Sequence, residues 1–217
     1  MSRNKQSYEI LAQEIRSTFK TSDEIRGGPQ LAGCQYLRAC IDETLRMAPP
    51  GPGTMWRERS STDDQSQPLA IDGHVIPEGT LFGVNIYAIH HNEDYFQDPF
   101  TFSPERWLSA HTPEPQRKRM HSAFAPFLLG SRGCGGKAMA YLEVSLVVAE
   151  ILWYYDFEKA QGPLGDLGGG TGSTGEVSGM ERRDEFQLYD IFTADHEGPN
   201  LVFTARSEAV NEIETSE

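Results

Sequence analysis

Tyr8, Leu11, Ile15 and Phe19 recur every three or four residues, which predicts an amphipathic helix at the start of the chain. A Gly-, Pro- and Gln-bearing loop at 27–30 follows. Leu37, Cys40, Ile41 and Leu45 then repeat at helical spacing, and Pro49-Pro50 ends that second helix. From 68 to 89 the pattern shortens to strands, with turns at Asp72-Gly73 and at Pro77-Glu78-Gly79. Val84, Ile86 and Ala88 alternate with Asn85 and Tyr87, which predicts the last of these strands. Residues 90–120 read as a mostly irregular meander, long enough to suggest a function or an unusual anchor. A long apolar helix follows from about Lys137. The Gly-, Ser- and Thr-rich stretch 162–179 reads as a flexible insert. Phe186–Phe192 and Leu201–Thr204 read as a terminal hairpin. The pattern is that of a mainly α chain with small β-sheets.

Charge narrows the partners. The 217 residues carry a formal net charge of −13, so nonspecific nucleic-acid binding is excluded. Residues 207–217 form an acidic tail with Glu208, Glu212, Glu214 and Glu217, whereas Arg117-Lys118-Arg119, Arg132 and Lys137 gather positive charge around one segment. Three cysteines, Cys34, Cys40 and Cys134, make no paired framework and suit a reducing compartment. No apolar run approaches the ~20 residues of a membrane span, and Met1–Gln6 lack the apolar core of a signal peptide.

The chemistry concentrates at Phe127-Leu128-Leu129-Gly130-Ser131-Arg132-Gly133-Cys134-Gly135-Gly136. Glycines let backbone amides approach the sulfur, and the helix that follows turns its positive end toward it; both favour a thiolate. One thiolate without a second Cys or His nearby is a poor zinc site, which needs four ligands. It is a good axial ligand for haem iron, where the porphyrin supplies the in-plane donors. Arg132 is spaced to pair with a propionate.

Two further motifs precede this loop. Glu43-Thr44-Leu45-Arg46 puts a carboxylate and a guanidinium on one helix face, a pair that on a surface contributes under about 1 kcal/mol. Pro104-Glu105-Arg106-Trp107 lies between the two.

The order E-x-x-R, P-E-R-W, cysteine loop and helix resembles the cytochrome P-450 superfamily, the haem-thiolate monooxygenases, and Trp56-Arg57-Glu58 after the E-x-x-R helix with the Gly-rich insert before the last hairpin resembles its fungal secondary-metabolism members. Phe127, Gly130, Arg132, Cys134 and Gly136 fall on the fixed positions of the family's haem loop. Leu128 and Gly135 depart from it, standing where a small or polar residue and an apolar residue are usual. The resemblance covers residues 8–206 and corresponds to the C-terminal half of the family fold, so 1–217 is expected to be a single partial domain.

The resemblance implies the following. Cys134 ligates haem iron. Arg132, Arg57, Phe127, Gly130, Gly136 and Ala140 contact the haem, Ala138 and Ala140 being small enough to approach the macrocycle. Glu43, Arg46 and Arg106 form a buried triad that locks the cysteine segment. The first of His90-His91 is structural, not a metal ligand. Gly51–Met55 and Phe192-Thr193-Ala194 wall an apolar substrate pocket. Electrons come from NADPH through a flavoprotein reductase docked on the basic patch, at the cytosolic face of the endoplasmic reticulum membrane. The N-terminal anchor of longer relatives would make that attachment. The family's distal helix, which carries a Gly-x-(Asp/Glu)-Thr pattern, has no counterpart upstream of residue 40. No catalytic residue is therefore assigned. A non-catalytic fragment and a peroxide-driven or isomerising haem-thiolate enzyme stand as alternatives.

Overall fold

A computed structural model describes residues 1–59, 68–173, 180–183 and 185–207. The helices are α1 (Lys5–Thr18), α2 (Pro29–Ala32), α3 (Gln35–Met47), α4 (Ile86–His90), α5 (Glu114–Ala123), α6 (Lys137–Tyr154) and α7 (Pro163–Asp166). The strands are β1 (Arg57–Glu58), β2 (Ala70–Ile71), β3 (His74–Val75), β4 (Leu81–Phe82), β5 (Tyr155–Lys159), β6 (Tyr189–Ile191), β7 (Thr193–Asp195) and β8 (Leu201–Ala205). They pair only as two-stranded antiparallel ribbons: β1 with β4, β2 with β3, β5 with β8 and β6 with β7.

The apolar stripes of α1 and α3 meet the C-terminal half of α6. Leu11, Ile15 and Phe19 pack with Leu37, Cys40 and Ile41 and with Ala149, Leu152 and Trp153. Each fully buried aliphatic or aromatic side chain here contributes roughly 1.5–3 kcal/mol. Glu14 of α1 fixes the helix pair, its two carboxylate oxygens accepting the first free amides of α3, Tyr36 N at 2.9 Å and Leu37 N at 2.8 Å. That contact meets two donors a helix start leaves unpaired and places negative charge at its positive end. A second cluster of Ala39, Phe96, Trp107, Met120 and Ala123 packs against the other face of α3.

The structure corrects three expectations. Residues 86–90 are helical, not a strand, because Asn85 caps the turn by accepting the Ala88 amide at 2.8 Å. The meander holds a ten-residue helix, α5, whose polar surface buries only Met120 and Ala123. The terminal hairpin is not formed: β8 pairs with β5, Phe203 opposite Phe157, while β6 turns through Phe192 into β7. Part of the Gly-rich stretch is paired through its backbone: the Gly170, Thr171 and Gly172 amides donate to the carbonyls of Arg182, Met180 and Glu181. Residues 174–179 of that stretch, and 208–217 of the acidic tail, lie outside the described residues.

Candidate functional site

The cysteine loop is shaped by its own backbone. Cys134 N donates to Phe127 O at 2.8 Å, closing the loop, and Leu128 N donates to Ala125 O at 3.0 Å. Gly133 N donates to Gly130 O at 3.0 Å across a 3-10 turn, Gly130–Arg132. Gly130 has φ +69°, and Leu128 holds a left-handed φ of 60°. The branch-bearing Leu128 stands there at a cost of about 1–2 kcal/mol, which locates backbone strain in the loop. Gly136 caps α6, and a side chain at that position would sit 3.7 Å from Cys134 Sγ.

Cys34 and Cys40 are buried, whereas Cys134 is exposed. Burial raises the thiols of Cys34 and Cys40, Cys40 the more strongly, so neither is poised as a thiolate. Among the described residues no hydrogen bond reaches Cys134 Sγ, and no group of three or more His, Cys, Asp or Glu side chains is arranged to hold a metal ion. A lone exposed cysteine sulfur is therefore a ligand only for a metal that arrives with its own donors, as haem iron does. The residues around it fit such a group: Leu129 and Met139 are exposed, Ala138 is exposed, and Ala140 is half-buried. Arg132 is exposed and makes no ion pair among the described residues. Among the described residues the Arg57 side chain, at the start of β1, donates only to its neighbour's carbonyl, Trp56 O, at 3.4 Å. Both guanidiniums remain available for a carboxylate.

Glu43, Arg46 and Arg106 are brought together. Glu43 is wholly buried and accepts Arg46 Nε and Nη2, both at 2.9 Å, and Arg106 Nε at 3.1 Å. It also accepts Ser103 N at 2.9 Å and Trp107 Nε1 at 3.0 Å. The second guanidinium charge is met by carbonyls. Arg46 donates to His90 O at 2.9 Å and Pro99 O at 2.7 Å, and Arg106 donates to Gln97 O at 2.7 Å. Burial works against the charged carboxyl, but the hydrogen bond and charge of Arg46, then the charge of Arg106 and the Ser103 amide, outweigh it. Glu43 stays below the usual carboxylate range. Trp107 was not foreseen as a Glu43 donor; the only signal was its place directly after Arg106.

His90 makes the contact that connects this cluster to the loop. Its Nδ1 lies 3.1 Å from Arg46 O, and its Nε2 accepts the Ala125 amide at 2.9 Å, two residues before Phe127. Those partners require a neutral ring protonated at Nδ1. Burial, with the Arg46 charge helping and the Arg46 carbonyl opposing, lowers its pKa to about 4. His91 packs between Tyr87 and Phe100 and is lowered likewise to about 4, mainly by burial.

The two segments expected to wall a substrate pocket touch each other. Ala194 N donates to Pro50 O at 2.6 Å, just before Gly51. Thr54 bridges to Asn85, and the β6–β7 turn leaves Phe192 74% exposed at φ 88°. On α5, Arg117 donates to Thr112 O and Lys118 pairs with Glu114 at 2.7 Å, so that patch is partly neutralised. No helix among the described residues is long and apolar enough to cross a membrane.

The family model for cytochrome P450 matches residues 1–166. The chain is 42% identical over 207 residues to cytochrome P450 monooxygenase AKT7 of Alternaria alternata, a match covering 94% of this chain and 38% of that protein. It is 40% identical over 206 residues to cytochrome P450 monooxygenase apf7 of Gibberella fujikuroi, covering 95% of this chain and 37% of that one. With cytochrome P450 monooxygenase poxM of Penicillium oxalicum the identity is 43% over 203 residues, covering 94% and 34%. The chain thus spans well under half the length of these curated relatives.

Proposed function

Because the chain belongs to the cytochrome P450 family, we propose that it forms the thiolate side of a haem monooxygenase. That enzyme would insert one oxygen atom of O2 into an apolar organic substrate. The observation that carries this reading is the exposed Cys134 at the start of α6, held in a backbone-closed loop while the other two cysteines are buried. When bound, haem would supply the oxygen activation, with electron density donated by the Cys134 sulfur.

The chain's own residues bind and orient. Cys134 Sγ ligates the iron. Arg132 and Arg57 pair with the propionates, and Phe127, Gly130, Gly136 and Ala140 shape the surface on which the ring lies. Glu43, Arg46 and Arg106 hold the peptide around 97–103 by its carbonyls, and His90 transmits that position to Ala125. Gly51–Met55 and Phe192-Thr193-Ala194 border the apolar substrate. Electrons would come from NADPH through a flavoprotein reductase, steered by Arg117, Lys118 and Arg119. Full-length enzyme of this kind would work at the endoplasmic reticulum membrane.

The test is a reduced carbon-monoxide difference spectrum of the 217-residue protein reconstituted with haemin. Cys134 ligation gives the red-shifted Soret band of a thiolate. Cys134→Ser loses that band, whereas Cys34→Ala and Cys40→Ala keep it. An unchanged band in Cys134→Ser overturns the ligand, and no haem uptake at all overturns the reading for this chain.

A further inference from the structure

Away from the cysteine loop, three cations converge on a pocket of about 610 Å³ formed by Arg3, Lys159, Arg183 and the Gly169–Thr171 backbone. Local packing puts each of them there. Arg3, just before α1, donates from Nη1 to Arg183 O at 2.7 Å. Its guanidinium lies over Gly169, where a Cβ would come within 2.8 Å of both Nη1 and the Arg183 carbonyl oxygen. Arg183 lies over Gly172, at φ +76°, in the same way. Lys159 ends β5 and pairs with Asp166 at 2.5 Å. The backbone bonds from Gly170, Thr171 and Gly172 to 180–182 fix the floor.

The charge does not close. Among the described residues Asp166 is the single carboxylate lining the pocket, against three cations. Its carboxyl is held below its ordinary value by the Lys159 hydrogen bond first and the Lys159 charge next, with Arg3 and Arg183 adding to them. All three cations therefore act on one point. Among the described residues no carboxylate forms an ion pair with Arg3 or Arg183. In a chain of net charge −13, a concave surface with an excess of two positive charges is a local inversion of field, and concavity focuses it.

We propose that this pocket binds a phosphate-bearing anion. The Arg183 guanidinium fork matches phosphate oxygens in geometry as well as charge, and Arg3, whose terminal nitrogens also donate to the carbonyls of Arg183, Asp166 and Leu167, adds charge beside it together with Lys159. The volume falls in the range of small-molecule sites, roughly 300–1,000 Å³, and leaves room for the body to which the phosphate is attached. The source is either a soluble phosphorylated molecule or a phospholipid headgroup. The site is separate from the cysteine loop and does not depend on haem.

Two arms distinguish the sources. Inorganic pyrophosphate is titrated calorimetrically into the 217-residue protein at low ionic strength. Vesicles containing phosphatidate, with phosphatidylcholine-only vesicles as control, are co-sedimented with it. Saturable pyrophosphate binding assigns a soluble ligand; phosphatidate-dependent sedimentation without it assigns a headgroup. In whichever arm binds, Arg183→Gln weakens affinity about tenfold or more, Asp166→Asn tightens it, and added salt weakens it. Because Arg183 is exposed, its substitution leaves the fold intact, which far-ultraviolet circular dichroism checks. No binding in either arm, or Arg183→Gln binding as the parent does, overturns the site.

Discussion

His90 Nε2 accepts the amide of Ala125 at 2.9 Å while its Nδ1 faces the Arg46 carbonyl. One imidazole thus joins the end of α3 to the segment that leads into the cysteine loop. The ring does this only when neutral. Its folded pKa of about 4 lies below the ordinary 6.5, so between those values the unfolded chain takes up a proton that the folded ring refuses. Stability therefore falls as pH drops from about 6.5 toward 4. His91 adds a second loss in the same window. His90→Phe is expected to lose about 1–3 kcal/mol at pH 7, from the orphaned Ala125 amide. Its further decline between pH 7 and 5 should be shallower than the parent's. Urea unfolding at the two pH values reads both effects.

Glu43→Gln should be the most damaging single change. It leaves Arg46 and Arg106 buried without their counter-charge, a loss of about 3–5 kcal/mol. Because the folded carboxyl is depressed, its contribution is present above the ordinary carboxylate range and disappears as pH falls through the folded value. Glu43→Gln should therefore flatten the acid limb of the stability profile, measured by thermal melts from neutral to acid pH.

Tyr141, seven residues beyond Cys134 on α6, donates to Asp42 on α3 at 2.6 Å, and Arg38 binds the same carboxylate at 2.9 Å while lying 3.8 Å over the tyrosine ring. The ring is also 5.3 Å from that of Phe127. Tyr141→Phe keeps the packing and removes the hydroxyl, so a loss of about 1–3 kcal/mol is expected. A shift of the urea midpoint at constant slope checks it.

Two glycines should respond differently to alanine. At Gly165 a Cβ would run into the Ala160 carbonyl and come within 2.9 Å of Lys159 Cε, so Gly165→Ala is expected to cost about 1–3 kcal/mol. At Gly135 nothing lies within 4 Å, and Gly135→Ala should stay within about 0.5 kcal/mol. Paired chemical denaturation of the two variants decides the matter.

Strong periodicity and motif order made much of this architecture readable in advance. α1 and α3 follow directly from apolar spacing and α6 from its long apolar run, and the chain order of E-x-x-R, P-E-R-W and the cysteine loop gave the family. The failures were local contests. Val84, Ile86 and Ala88 alternate over too few residues to outweigh the Asn85 cap. α5 carries Pro115 and a run of polar residues that hides a helix anchored by Met120 and Ala123 alone. β8 takes a partner more than forty residues earlier, a pairing no hairpin signal encodes. The Glu43 cluster was readable in its three charged members but not in Trp107 or the Ser103 amide, because donors recruited by packing leave no spacing rule. The Arg3–Lys159–Arg183 pocket was invisible for the same reason, its members standing far apart along the chain.

Helix α6 is hydrocarbon along most of its eighteen residues, yet only Ala149, Leu152 and Trp153 are fully buried, while Met139, Leu142, Val144 and Val147 stand in water. Whatever flat, oily body settles against its leading turns also shields them from other chains. Colloidal behaviour and prosthetic-group loading are then two faces of one surface: preparations saturated with haemin should stay monodisperse at concentrations where the bare polypeptide clumps.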